Sequence, residues 1–136
     1  MQDHQAILVV LADYFTGLYT GDTDLLRTVF HPQAALFADV RGQPYYKRVE
    51  DYLEAVELRA APQERGEPYQ MRVLSLNVTH NIATAKVHVP ALGFNYVNYL
   101  SLVRMDGAWI IVSKVFADVP QAGSKLPANP TATCAA

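Results

Sequence analysis

The 136-residue chain carries 11 Lys and Arg against 13 Asp and Glu, a formal net charge of −2 at pH 7. With no basic run it lacks the electrostatic attraction that nucleic acid or anionic lipid demands, so neither is an expected partner. An apolar fraction of 51% with 18% charged residues excludes a disordered or membrane-spanning chain and fits one globular domain around one core.

Ile7, Leu11, Tyr14 and Leu18, flanked by Leu8 and Phe15, recur at helical steps and predict a first helix with one broad apolar face. The apolar run from Ala6 to Ala12 follows Asp3 rather than a cationic segment, so it reads as that helix and not as a signal peptide. Thr20-Gly21-Asp22 ends it, and Asp22 or Thr23 is placed to cap a short second helix whose Leu26, Val29 and Phe30 point inward. His31-Pro32 stops that helix, because proline disfavours helical backbone in the residue before it. Ala34 to Val40 reads as a short strand, and Arg41-Gly42-Gln43-Pro44 turns Tyr45-Tyr46 back against it. Val49, Tyr52, Leu53 and Val56 restore helical spacing for a third helix, until Pro62 intervenes.

After Pro68 the pattern becomes period two or β-branched, predicting strands over Tyr69 to Val78, Ile82 to Val89, Phe94 to Met105 and Ala108 to Asp118. Turns at Asn81, Pro90 to Gly93 and Asp106-Gly107 make neighbouring strands antiparallel. Helices first and strands afterwards give an α+β class, with residues 1–119 as the domain and 120–136 as a flexible tail lacking period and bulk. Cys134, the single cysteine, falls in that tail, so neither an intrachain disulfide nor a cysteine metal site is expected, and the cytoplasm is the default compartment.

Tyr14-Phe15-Thr16-Gly17-Leu18-Tyr19-Thr20-Gly21-Asp22, Val29-Phe30-His31-Pro32, Ala34 and Val40-Arg41-Gly42 resemble the opening of nuclear transport factor 2-like proteins of the lumazine-binding group, relatives of the SnoaL-like polyketide cyclases. The resemblance continues through Val56 with Arg59, Gly66-Glu67-Pro68, Ala83 to Val87, Tyr99-Leu100-Ser101-Leu102, Asp106-Gly107 with Trp109, and Lys114-Val115-Phe116. It implies a cone in which a curved antiparallel sheet wraps three N-terminal helices around a small-molecule pocket, usually as a homodimer joined through the sheet. The same scaffold serves isomerases, dehydratases, cyclases and non-catalytic binders, so function has to be read from the site.

Tyr14 is a phenol on a buried helix face and needs a hydrogen-bond partner, either a ligand oxygen or the backbone. By its distance before Gly21-Asp22 it resembles the tyrosine of ketosteroid isomerases. The same comparison puts Ala38 where that enzyme's aspartate base stands, with Asp39 one residue on and facing the opposite side, which argues against steroid isomerisation. His31 is either a general acid or base or a tie between helix end and strand. Asn98 stands where the family pattern has an aspartate, so it can donate and accept hydrogen bonds but shuttles no proton at neutral pH.

Asn98 shares a strand face with Tyr96, Leu100 and Leu102, and the resemblance makes that face concave, leaving Tyr99 and Ser101 for a dimer interface. Arg59 either clamps a carboxylate or phosphate or pairs with Glu57 or a helix end. Arg41 and Lys114 rank below it, as residues read to be solvated or paired with surface acids. No nucleophile elbow, phosphate loop, dinucleotide fingerprint or metal-ligand spacing is present, so no cofactor or metal is expected. The expected function is that of a small-molecule binder with a largely apolar pocket for an apolar or aromatic ligand. Tyr14, His31, Arg59, Tyr96, Asn98 and Leu100 are its candidate contacts. The alternative is a cofactor-free dehydratase, isomerase or cyclase using Tyr14 and His31.

Overall fold

In the computed structural model, which describes residues 2–121, the apolar periodicities resolve into three helices and six strands. Met1 and residues 122–136, with Cys134 and most of the expected tail, lie outside the described residues. Helix α1 (Gln2–Thr20) buries Ile7, Leu11, Tyr14, Phe15 and Leu18, the face its spacing predicts. Gly21 then takes a positive φ of 75°, open to a residue without Cβ, and ends the helix. Asp22 caps α2 (Thr23–Val29), its Oδ1 accepting the Leu25 N–H at 3.1 Å.

Helices α1 and α2 touch where Gly17 meets Leu26, and a Cβ at Gly17 would lie 2.6 Å from Leu26 Cγ. Gly17→Ala is therefore expected to destabilise the fold by roughly 1 kcal/mol, overpacking outweighing the gain in helix propensity. Urea denaturation measures it, and an increase in stability would refute the close approach.

Phe30 already has extended backbone (φ −101°, ψ 139°) and opens strand β1 (Phe30–Val40), so the expected strand start at Ala34 moves back and Phe30 is not helical. Pro32 falls in the register irregularity between Phe30 and Ala35, a place where its missing N–H disturbs no regular ladder. Arg41-Gly42 joins β1 to β2 (Gln43–Arg48), and helix α3 (Val49–Leu58) turns Val49, Tyr52, Leu53 and Val56 inward. Strands β3 (Arg72–Thr79), β4 (Ile82–Ala91), β5 (Phe94–Met105) and β6 (Ala108–Asp118) follow. Arg41-Gly42, Leu92-Gly93 and Asp106-Gly107 all have positive φ at both positions, the conformation of the tightest hairpins.

The sheet order is β2-β1-β6-β5-β4-β3. All neighbours are antiparallel except β1 and β6, which run parallel, so the sheet is mixed where an antiparallel one was expected. Ala83, Ala85, Val87 and Val89 of β4, and Tyr96, Asn98, Leu100 and Leu102 of β5, face the helices and join their apolar faces in one core. The result is the expected α+β cone, a curved sheet around three helices. Among the described residues no helix is long and apolar enough to cross a membrane.

Candidate functional site

Strand β6 sets the site through one irregularity. Trp109 and Ile111 point inward, and unbroken alternation would continue with Ser113 and Val115. Between the pairs Ser101↔Ser113 and Leu102↔Ile111 the partner strand advances one residue while β6 advances two, which makes Val112 an inserted residue. The phase therefore reverses, Lys114 and Phe116 turn inward, and Val115 turns out. Lys114, read from sequence as a solvated or surface-paired residue, is fully buried.

Its ammonium lies among rings, 4.6 Å from the centroid of Tyr52, 4.8 Å from that of Phe116 and 5.4 Å from that of Tyr14. These distances are in the range where a cation is attracted by an aromatic face. Nζ also donates to Tyr52 Oη at 3.2 Å. Leu100 is the cross-strand partner of Lys114 and Asn98 that of Phe116, so Asn98 and Lys114 are diagonal neighbours on the concave face.

Tyr14, one turn into the core from Leu18, donates from Oη to Asn98 Oδ1 at 2.6 Å, both residues being 0% exposed. The phenol stays protonated at neutral pH. Burial pushes it well above its ordinary value, the Tyr52 phenol adds to the rise, and the Arg59 guanidinium pulls the other way. The second half of the amide is unsatisfied: Asn98 Nδ2 is buried and meets no hydrogen-bond acceptor. Such a donor is rare in a core and is expected to have a partner of some kind.

The structure brings several of the sequence-selected residues together. Tyr14 and Asn98 bond directly, and Arg59, at the C-cap of α3, sets its guanidinium 5.9 Å from the Tyr52 ring that also receives Lys114. Leu100 is buried beside Lys114 on the sheet, and Tyr96 stacks on Phe94 at 5.0 Å and meets Phe116 edge-on at 5.5 Å. His31 is different: its Nδ1 accepts the Gln33 N–H at 3.0 Å, a local bond in the irregular start of β1. Lys114 and Tyr52 were missed as site residues. The trace in the sequence is that the apolar residues of β6 change parity between Ile111 and Phe116.

Arg41 also departs from its reading as a solvated or surface-paired residue. Its Nε donates to Asp118 Oδ2 at 2.7 Å, and the two side chains are 8% and 2% exposed. Asp39, by contrast, is exposed on the outer side of β1.

A family profile described as "Putative lumazine-binding" matches residues 2–117. The chain belongs to that family. An NTF2-like protein of unknown function from Shewanella baltica superposes with a TM-score of 0.77 at 23% identity, covering 88% of this chain and 96% of its own. Another NTF2-like protein, from Silicibacter pomeroyi, gives 0.73 at 20% identity, with 85% and 94% covered. These likenesses establish the NTF2-like fold. Among curated proteins the chain is similar to the aldolase FrzH of Cladobotryum sp., 21% identical over 119 residues, or 88% of this chain and 94% of that one.

Proposed function

We propose that the protein holds a small, largely apolar or aromatic molecule inside its cone, oriented by an oxygen that accepts a hydrogen bond. The observation that carries this reading is the Tyr14–Asn98 pair, completely buried and ending in an Nδ2 group with no acceptor. A carbonyl or carboxylate oxygen of a ligand satisfies that donor. Tyr96 and Leu100 supply apolar wall and Arg59 supplies positive charge from the end of α3, whereas His31 is engaged locally with Gln33 at the start of β1. Native mass spectrometry of protein exposed to cell extract is expected to show a retained small molecule that Asn98→Leu fails to hold. Wild-type protein that never retains one refutes the proposal.

The second reading, a cofactor-free enzyme, draws on the similarity to an aldolase and on the lysine buried beside the phenols. Tyr14 is then the donor that polarises a substrate oxygen, and His31, whose Nδ1 is engaged, acts as acid or base through Nε2. Tyr14→Phe and His31→Ala separate the two roles, and turnover unchanged in both dismisses that assignment.

The outer face of the sheet supports a homodimer. A groove of about 490 Å³ there is lined by Phe37, Val97, Tyr99 and Val115, with Asp39 and Lys86 on its walls. Tyr99 is 52% exposed and Phe37 equally so. A two-fold arrangement covers this apolar surface with itself and lets the groove's carboxylate and ammonium meet their opposites. Light scattering after gel filtration is expected to give a dimer, and the double substitution Tyr99→Lys, Val115→Glu a folded monomer. A wild-type monomer at high concentration rejects the interface.

A further inference from the structure

Lys114 of β6 is a charged residue buried completely in the core. Its cross-strand neighbour Leu100 and the inward residues on either side of it, Ile111 and Phe116, are apolar, and a methionine would pack in the same row. Burying an ammonium costs several kcal/mol of desolvation even after relaxation. A bulge at Val112 is what aims it inward, and bulges that re-aim one side chain are over-represented beside active sites.

Removal from water and a neighbouring cation make a lysine amine a nucleophile, and Nζ is fully buried and shares the Tyr52 ring with a guanidinium. Tyr14, Tyr52 and Phe116 exclude water around it, and Arg59 reaches the same Tyr52 ring at 5.9 Å. Tyr52 Oη, 3.2 Å from Nζ, is in place to take part in proton transfer. One diagonal step away on the sheet, Asn98 Nδ2 offers a hydrogen bond without an acceptor.

We infer that Lys114 is an imine-forming amine and that the substrates of this site are small aldehydes or ketones. This rests on the reading that the cone's interior admits a small molecule. The amine, after passing a proton by way of Tyr52 Oη to solvent, attacks the carbonyl carbon; the C–N bond forms as the C=O π bond breaks, and one proton leaves the nitrogen as one reaches the oxygen, giving a neutral carbinolamine. That oxygen, protonated again, leaves as water, and the product is a protonated imine on Nζ. Overall one ammonium and one carbonyl become one iminium and one water. Tyr52 handles protons at nitrogen, and Asn98 Nδ2 holds the carbonyl oxygen during attack. The iminium acidifies the adjacent C–H bond, which opens carbon–carbon bond formation or cleavage and elimination without any cofactor.

The test is reductive trapping. Wild-type protein is incubated at neutral pH with acetaldehyde, and separately with benzaldehyde, in the presence of sodium cyanoborohydride, and the adducts are located by peptide mapping. Lys114 is expected to be labelled roughly tenfold or more faster than the half-buried Lys47 and Lys86, as desolvated, cation-flanked amines react. Lys114→Arg keeps the cation and is expected to lose that fast adduct while its thermal unfolding stays cooperative. Labelling confined to amines other than that of Lys114 overturns the inference. If a molecule from cell extract is nevertheless retained, the binding reading stands and only the imine is rejected.

Discussion

Asp118→Ala is expected to lose about 3–5 kcal/mol of folding stability, the cost of leaving a buried charge without its partner. Asp118 Oδ2 accepts from Arg41 Nε at 2.7 Å and Oδ1 accepts from the Asn95 N–H at 2.8 Å. Arg41 in turn donates to the Gly93 carbonyl at 3.3 Å and lies 4.3 Å above the Phe94 ring. One guanidinium and one carboxylate thus fasten the β1–β2 turn, the β4–β5 turn and the end of β6 to one another. The side chains are 8% and 2% exposed, so solvent does little to screen the pair, and removing the carboxylate strands the guanidinium. Replacing both residues, as Arg41→Met with Asp118→Leu, is expected to recover most of the loss, since no charge is then buried. Urea denaturation of the three variants decides it. A loss below about 1 kcal/mol for Asp118→Ala would class the pair with ordinary surface ion pairs.

The same pair shows why parts of the fold were legible in the sequence and parts were not. Strands β4 and β5 alternate without interruption, so Ala83, Ala85, Val87 and Val89 were seen to share one face of their strand and Tyr96, Asn98 and Leu100 one face of theirs, while the choice of the Asn98 face as concave came from the family resemblance. Helix α1 presents its predicted stripe for the same reason: the period is local and unbroken. Arg41 and Asp118 are 77 residues apart, and nothing in the spacing of either announces the other. The parallel pairing of Phe30 with Ile111 is equally non-local, and it is what draws β1 back to Phe30.

The site was half legible for a related reason. Asn98 and Tyr14 stood out because an amide replaced an expected carboxylate and because a buried phenol needs a partner, and they found each other. Lys114 was read as a surface cation from its residue type, and the inserted residue at Val112 hides its inward direction, since alternation continued from Ile111 would point it outward. A parity change between Ile111 and Phe116 is the only local sign, and β-branched residues on both faces of β6 mask it. Arg59 was equally suited to an anion, to Glu57 or to a helix end. The packing of α3 places it beside Tyr52, while Glu57 accepts from Thr23 at 2.8 Å.

The Tyr14–Asn98 bond makes the second large prediction. Tyr14→Phe leaves Asn98 with its whole amide unsatisfied in the core, and Asn98→Leu leaves the phenol so; each is expected to cost about 1–3 kcal/mol. The double variant removes both polar groups, and its loss is expected to fall short of the sum by about 0.5–3 kcal/mol, the coupling of a direct contact. Additive losses would mean that the 2.6 Å bond contributes nothing specific. Alkaline titration adds an independent reading. Because Tyr14 keeps its proton to higher pH in the folded state, the folded chain binds more protons once the unfolded phenol begins to ionise. The stability this provides is complete below about pH 10, the ordinary phenol value, and is lost as pH rises from there toward the folded value. Tyr14→Phe is expected to remove that portion of the alkaline decline, leaving a shallower slope to which Tyr69, raised more modestly by burial, still contributes. An alkaline slope identical to wild type would mean that the Tyr14 phenol is not the sequestered donor on which the proposed ligand site depends.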